Sequence, residues 1–273
     1  MRSLARETPL ILGLALLAFM VAVALLAPAL YPSNPLFSNA PPMQPPDWAY
    51  PLGTDHTGRD VAAMLAWGTR VSLLFAFGAA GISLVCGTVL GAISGYFGGL
   101  VDDVLSRLFE MFNIVPRLFL IILVVAVFGS YLWLTVAIVG LTMWPSNARI
   151  MRAQVLTLKS RGYAQAAIVS GAGPFTVLFS HVVPNGIGPV MANSMLQMAY
   201  AVLTEAGLAF LGLSDPNIAS WGQVLYWGQG FIASAPWMII FPGLAIAMLL
   251  MSFHLIGGTL QERLDPRQQG AMA

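Results

Sequence analysis

The chain has 273 residues, of which 58% are hydrophobic and only 8% charged, and its formal net charge is +1. A soluble domain carries about 25% charged residues, so a soluble enzyme is excluded. The apolar, aperiodic and nearly neutral composition also excludes a disordered chain, a collagen-like chain and a nucleic-acid-binding protein. The single cysteine, Cys86, excludes a disulfide scaffold and a multi-cysteine metal site. An integral membrane protein with several spans of about 20 residues each remains.

The first predicted span is the wholly apolar run 10–27, which follows Arg2 and Arg6. It is long enough to cross a bilayer core of about 30 Å. It also exceeds the apolar core of a typical signal peptide, about 7–15 residues, so we expect an uncleaved first helix. Residues 31–53 are dense in proline and asparagine, which predicts irregular chain outside the bilayer.

The next two spans follow from uncharged runs. The run between Arg70 and Asp102 predicts a second span, whose recurring glycines favour close helix packing. The run 118–148 is too long for one span and too short for two, and Gly129 interrupts it. The third helix should therefore begin near residue 102 or 107, which places Arg117 at membrane depth.

Three further spans complete an all-α integral membrane fold with six transmembrane helices. They are expected at about 131–149, 189–211 and 236–260. With the N-terminus inside the cell, nine basic residues lie on the cytoplasmic side and two outside, as the positive-inside rule requires. The inside residues are Arg2, Arg6, Arg107, Arg149, Arg152, Lys159, Arg161, Arg263 and Arg267, and the outside ones are Arg59 and Arg70. Both termini are then cytoplasmic, and residues 31–69 and 214–235 are external.

The predicted cytoplasmic loop, residues 149–185, contains one short helix at about 163–170. Gly171, Gly173 and Pro174 end it. Ala166 and Ala167 give this helix a small-residue surface, which suits docking into a groove on another protein.

This loop resembles the EAA motif of ABC-importer permeases. The resemblance is carried by Gln165, Ala166 and Ala167, by Gly171 after three more residues, and by Pro184 thirteen positions later; Gln165 replaces the leading glutamate. Further motifs follow the order of the dipeptide/oligopeptide/nickel permease family, in its C-type subunit. They are PLGTDHTGRDV (51–61), TRVSL (69–73), GYFGGLVDDVLSR (95–107), RAQVLTLKSRGYAQAA (152–167), HVVPN (181–185), TEAGLAFLGL (204–213), ASWGQ (219–223), APW (235–237), FPGLAI (241–246) and RLDPR (263–267).

The resemblance implies a prokaryotic inner-membrane subunit that forms a translocation path with a second, B-type permease. Two cytoplasmic ATPases and an extracytoplasmic substrate-binding protein complete such importers, which carry peptides, nickel, metal chelates or related small solutes. ATP would be bound by the partners, and no cofactor is expected in this chain, which has no phosphate-binding G-x-x-x-x-G-K-[ST] loop. Residues 1–70 would form the N-terminal helix and external segment, and 71–273 the permease domain, with coupling residues Gln165, Ala166, Ala167, Gly171 and Pro184.

Two ionisable residues, Arg117 and Glu205, lie within predicted spans. Such residues are costly in a membrane and usually face a bundle interior or a cavity. Glu205 could hold helices together by hydrogen bonds or line the pathway. Arg117 could line the pathway, which would favour a substrate with carboxylates, or extend toward the cytoplasm.

Asp55, Arg59 and Asp60 have two readings. They could cap and start an interfacial helix at about 59–67, with Asp55 or Thr57 as the N-cap and the helix lying on the membrane surface. The resemblance adds a second reading, in which these residues contact the substrate-binding protein.

Two other classes of membrane protein remain as alternatives. An ion-coupled secondary transporter usually has internal repeats with broken helices, and no convincing repeat is found. An intramembrane protease would use Ser94 and His254, but the Gly-x-Ser-Gly motif is not met. The three histidines, His56, His181 and His254, lie in separate regions, so their spacing predicts no metal site.

Overall fold

The computed structural model describes residues 2–264, and the regular structure within that range is helical apart from one isolated β-bridge between Thr54 and Asp60. The C-terminal residues of the RLDPR motif, including Arg267, lie outside the described residues. The helices are α1 (Arg2–Leu30), α2 (Val61–Phe97), α3 (Gly99–Ile114), α4 (Arg117–Phe128), α5 (Leu132–Leu158), α6 (Gly162–Val169), α7 (Pro174–Thr176), a π-helical turn (Val177–Val182), α8 (Val183–Phe210), α9 (Trp221–Gly228), a 3₁₀ turn (Gln229–Phe231) and α10 (Trp237–Leu264).

Four helical segments in the described range are long and apolar enough to cross a membrane. They are Thr8–Leu30, Val61–Phe97, Pro174–Phe210 and Trp237–Leu264. Helices α3 and α4 provide a fifth if the bent pair is one span. Helix α5 has 27 residues but is not among them, and its second half carries Asn147, Arg149 and Arg152. An all-helical membrane fold is confirmed, whereas the count of six spans stays a prediction.

The third predicted span is not one continuous helix, and that expectation was wrong. Helix α3 ends at Ile114 and α4 begins at Arg117, with a bend of 79° between them. Val115 and Pro116 between them are extended. Proline has no N–H and disfavours helical backbone in the residue before it, which explains the break.

The predicted interfacial helix at 59–67 was also wrong. Residues 61–67 form the start of α2, which runs without a break from Val61 to Phe97. Val61 and Met64 are fully buried, so this first turn packs inside the protein rather than on a membrane surface. The helix has 37 residues and is therefore about 55 Å long, well beyond the hydrocarbon core of about 30 Å.

Helix α2 is the centre of the bundle and packs against α5, α8, α1 and α9. Its glycines allow the closest approach to α5, as their spacing predicted. A Cβ atom at Gly91 would lie 2.2 Å from Ala148 O, and one at Gly87 would lie 2.5 Å from Asn147 Cβ. Real Cβ atoms cannot come so close, so the α2–α5 contact depends on these glycines.

The two ends of the bundle carry different segments. Residues 31–60 and 211–236 meet at one end, which we name the proline-rich end, where Trp237 Nε1 donates to Thr54 O at 3.0 Å. Residues 159–176 lie at the opposite end, which we name the α6 end. There Lys159 Nζ donates to Gly95 O, near the end of α2, at 2.8 Å.

Candidate functional site

The short helix predicted in the 149–185 loop is α6, Gly162–Val169. Arg161 before it is extended, and Gly171 after it has a φ of +86°. Gly171 N donates to Ile168 O at 2.9 Å, and Ala172 N donates to Ala167 O at 3.0 Å. Because a left-handed backbone closes this end of the helix, a glycine is strongly favoured at position 171.

Helix α6 presents one buried and one exposed side. Ala164 is fully buried in a cluster with Val177 and Leu178 from the π-helical turn. Gln165 and Ala166 are exposed, Ala167 is half-buried, and Val169 is 88% exposed. The helix therefore shows solvent a surface of small and apolar side chains that nothing in the described chain covers.

Gln165 ties the start of α6 to the end of α5. Its Nε2 donates to Lys159 O at 2.9 Å. Lys159 in turn donates to the carbonyls at the end of α2, where a cation also favours the helix dipole. The Gln165 side chain thus donates a hydrogen bond within its own loop. An ionised glutamate at this position could not do so, because a carboxylate has no hydrogen to donate.

Pro184 lies at the second residue of α8, directly after the π-helical turn, and is exposed. The same turn packs against α6, because Val177, Leu178 and Val182 share one hydrophobic cluster with Ala164. The structure therefore brings all five predicted coupling residues to the α6 end.

Arg117 and Glu205 do not come together in the structure. Arg117 is the first residue of α4, at the 79° bend, and is partly exposed. Glu205 lies in α8, is 6% exposed, and lines a cavity of about 20 Å³ at the proline-rich end. Arg117 is not in the lining of that cavity.

Asp55, Arg59 and Asp60 have local structural contacts. Asp55 is fully buried and accepts hydrogen bonds from the backbone N–H groups of Thr57 and Arg59, both at 2.8 Å. Arg59 Nε lies 2.7 Å from Asp55 Oδ2, and its guanidinium lies 3.9 Å above the Trp227 ring. Contact of these residues with a partner protein stays a prediction, although the burial of Asp55 leaves that side chain no free surface.

The N-cap of α2 is Asp60, which corrects the expectation of Asp55 or Thr57. Its carboxylate accepts from Ala62 N at 2.9 Å. Burial raises the pKa of the Asp60 carboxyl, while the hydrogen bonds from Ala62 and Ala63 act in the opposite direction. Asp60 therefore fixes where the longest helix begins.

The side chains considered for protease chemistry have other partners. Ser94 is fully buried and donates to Asp102, and His254 bonds through Nδ1 to Leu250 O at 3.0 Å. Among the residues from 2 to 264, no group of three or more His, Cys, Asp or Glu could hold a metal ion.

Known proteins match nearly the whole chain. Residues 87–270 match the family described as binding-protein-dependent transport system inner membrane component. The oligopeptide transport system permease protein OppC of Haemophilus influenzae is 35% identical over 97% of this chain and 86% of its own length. The dipeptide transport system permease protein DppC of Alkalihalophilus pseudofirmus is 33% identical over 95% and 86%, and OppC of Bacillus subtilis is 33% identical over 93% and 84%. The chain belongs to this family.

The protein is thus a multi-pass inner-membrane permease of a binding-protein-dependent importer, and a transport subunit rather than a catalyst. Permeases of this family work in ABC importers with a second permease, ATPases and a binding protein. The family match begins within α2 and includes α6, so the coupling-motif residues lie inside it.

Sequence reasoning missed two polar clusters of this permease. Arg152 pairs with Asp102 through Nε–Oδ1 and Nη2–Oδ2 contacts of 2.6 and 2.5 Å, which joins α3 to α5 at the α6 end. Both residues lie in motifs quoted above, but a separation of 50 residues gives no signal of pairing.

The second cluster is buried between α2, α5 and α8. Gln197 Oε1 accepts from Ser83 Oγ at 2.6 Å and from Asn147 Nδ2 at 3.1 Å. Asn147 Nδ2 also donates to Ser194 Oγ at 3.0 Å. Because these polar groups satisfy one another, they can hold three helices together inside a membrane. Isolated Ser, Asn and Gln residues in apolar runs were the only available sequence signal.

Proposed function

We propose that this chain is the C-type permease of an ATP-driven peptide importer, with six spans formed by α1, α2, the α3–α4 pair, α5, α7–α8 and α10. The names of the relatives, which are oligopeptide and dipeptide permeases, favour peptides as the substrate. Nickel and metal chelates stay untested predictions.

The α6 end is the cytoplasmic side in this proposal, and the proline-rich end is external. Arg107, Arg149, Arg152, Lys159 and Arg161 all belong to the α6 side of the chain, whereas Arg59 and Arg70 lie near the start of α2. An excess of basic residues on one side marks the cytoplasmic face. Both termini would then be cytoplasmic.

The proposed partners are a B-type permease, two cytoplasmic ATPases that bind ATP, and an extracytoplasmic substrate-binding protein. Helix α6 would dock into a groove of one ATPase and transmit its movement to the spans. The observation that carries this step is the uncovered surface of α6, on which Ala166 is exposed and Val169 is 88% exposed. Apolar surface of this kind outside the bundle is typical of a protein contact.

We expect Ala167→Arg to separate ATP hydrolysis from transport. Ala167 is half-buried and lies beside the exposed Ala166, so a long charged side chain there would extend over the docking surface and prevent close docking. ATP-dependent peptide uptake should fall at least about tenfold, which corresponds to about 1.4 kcal/mol. Uptake and ATPase rates would be measured with the complete transporter in proteoliposomes. Ala167→Ser is the matched control, because it keeps the small volume, and it should behave as wild type.

The same preparation tests the alternative of a secondary transporter. Uptake that requires ATP and a co-purified ATPase supports the importer. Uptake that continues without ATP, driven by an ion gradient, would contradict it. If Ala167→Arg keeps wild-type uptake and wild-type ATPase association, the coupling role of α6 is contradicted, but the assignment as an importer is not.

A further inference from the structure

The cavity that contains Glu205 lies at the proline-rich end, between α2, α5, α8 and the chain after α8. Its volume of about 20 Å³ can hold roughly one water-sized group. Its lining includes Val71, Thr135, Glu205, Asp215, Ile218 and Ser220, and most of its other residues are apolar.

The Glu205 carboxyl has a hydrogen bond with Ser220, but its Oε2 is an unsatisfied acceptor in this cavity. Only 6% of the Glu205 surface is exposed, and within the described structure Oε2 has no hydrogen-bond partner. A buried carboxylate oxygen without a partner is costly, more so near a membrane core. A ligand with N–H donors and a positive charge would satisfy it.

Other lining residues also carry side-chain oxygen atoms. Asp215 adds a second carboxylate, whose Oδ1 accepts from Asn217 N at 3.0 Å, and Thr135 and Ser220 add buried hydroxyls. The described lining contains no Lys, Arg or His that could neutralise the two acidic groups. Because the apolar lining residues leave space for only one small polar group, a primary ammonium fits, whereas a guanidinium is too large.

The cavity adjoins an open groove at the same end. That groove has a volume of about 430 Å³ and is lined by Trp67, Asn217 and the chain at 32–35. Val71 and Ile218 belong to both the groove and the Glu205 cavity, and so form the boundary between them. The groove has room for a short stretch of peptide beyond the ammonium group.

We propose that Glu205 and Asp215 bind the protonated α-amino group of a peptide that enters through this groove. This assignment rests on the proposed function of peptide import. It gives the two carboxylates a substrate-positioning role and assigns Val71 and Ile218 to the entrance of the site.

The test uses the complete transporter in proteoliposomes with a defined mixture of tri- to pentapeptides and the same mixture N-acetylated. Acetylation removes the positive charge, and the binding protein is identical in every sample. Glu205→Gln should lower import of the free-amine peptides about tenfold or more, the effect of losing a charged hydrogen bond. Import of the acetylated peptides should change less than about twofold. Asp103→Asn, at an exposed position at the other end of the bundle, is the charge-matched control and should import both mixtures as wild type.

Assembly with the ATPases and basal ATP hydrolysis are measured in parallel. Import of free-amine peptides within about twofold of wild type, or an equal fall for both mixtures, would overturn the site. If Glu205→Gln does not assemble, Asp215→Asn decides: an unchanged ratio between the two mixtures would overturn the site. Wild-type transporter that imports neither mixture with ATP contradicts the proposed function itself, which is a separate outcome.

Discussion

Arg152 holds Asp102 with two contacts, of 2.6 and 2.5 Å, and Ser94 also donates to the same carboxylate. The pair is largely shielded, because the Asp102 side chain is 17% exposed and the Arg152 side chain 34%. A planar guanidinium matches a carboxylate with two parallel bonds. One carboxylate therefore connects α2, α3 and α5 close to α6.

Asp102→Asn should destabilise the permease, because an amide cannot accept both bonds from Arg152. For a partly exposed pair we expect a loss of about 1 kcal/mol and a decrease in Tm of a few degrees. Thermal unfolding of the purified protein in detergent measures the change. Asp103→Asn, on the exposed neighbouring residue, is the control, and an equal decrease in both variants would contradict the role of the pair.

The helices themselves were largely predictable from the sequence, whereas their breaks and contacts were not. Long uncharged runs predicted α1, α2, α8 and α10, because a membrane-spanning helix must hide its backbone in apolar sequence. The bend before Arg117 was missed, although Pro116 was its signal. The span predicted to begin at residue 189 begins at Pro174, where proline is tolerated in the first turn of a helix, and Pro189 lies inside α8.

The candidate site was predictable only in part for a physical reason. The α6 residues lie close together in the sequence, so local glycine and proline signals place them. The cavity of Glu205 combines α2, α5, α8 and the following loop, and only the folded chain brings Thr135 and Asp215 beside Glu205.

Gly91→Ala should weaken the packing of α2 on α5. The new methyl group would lie 2.2 Å from the Ala148 carbonyl oxygen, so the two helices must move apart. Overpacking of this kind costs about 1–3 kcal/mol, and Tm in detergent should fall accordingly. Gly81→Ala on the same helix, where a Cβ meets no atom within 4 Å, should leave Tm unchanged or slightly higher.

At the scale of the whole molecule, the irregular segment 31–60 is fastened to distant helices. Trp237 Nε1 donates to Thr54 O at 3.0 Å, and Trp67 Nε1 donates to Tyr31 O at 3.0 Å. His56 stacks on Phe231 with ring centroids 5.1 Å apart. The contacts of Trp237 and Phe231 join the first quarter of the chain to its last quarter, so the N-terminal part is integrated into the bundle.

Trp237→Phe should loosen this segment, because the indole N–H that binds Thr54 O is lost while most of the ring remains. A buried hydrogen bond contributes about 1 kcal/mol, so protease cleavage within 31–60 should become several-fold faster. Spheroplasts, whose outer membrane has been opened, measure this with protease added outside, which also tests the external assignment of the segment. Trp48→Phe is the control, since Trp48 is fully exposed, and equal acceleration in both variants would contradict the fastening role.

The length of α2 has a mechanical consequence for transport. A single uninterrupted helix of 37 residues, about 55 Å long, connects the Asp60 cap and its surrounding loops to the turn at Phe97 beside Lys159. The Gly87 and Gly91 contact with α5 lies nearer the Phe97 end of this helix, about 12 Å from that end and about 42 Å from the other, and can serve as a pivot. A tilt of about 5° around this contact moves the near end by about 1 Å and the far end by about 4 Å in the opposite direction. A small push on one side of the membrane can thus widen a passage on the other without any helix unwinding.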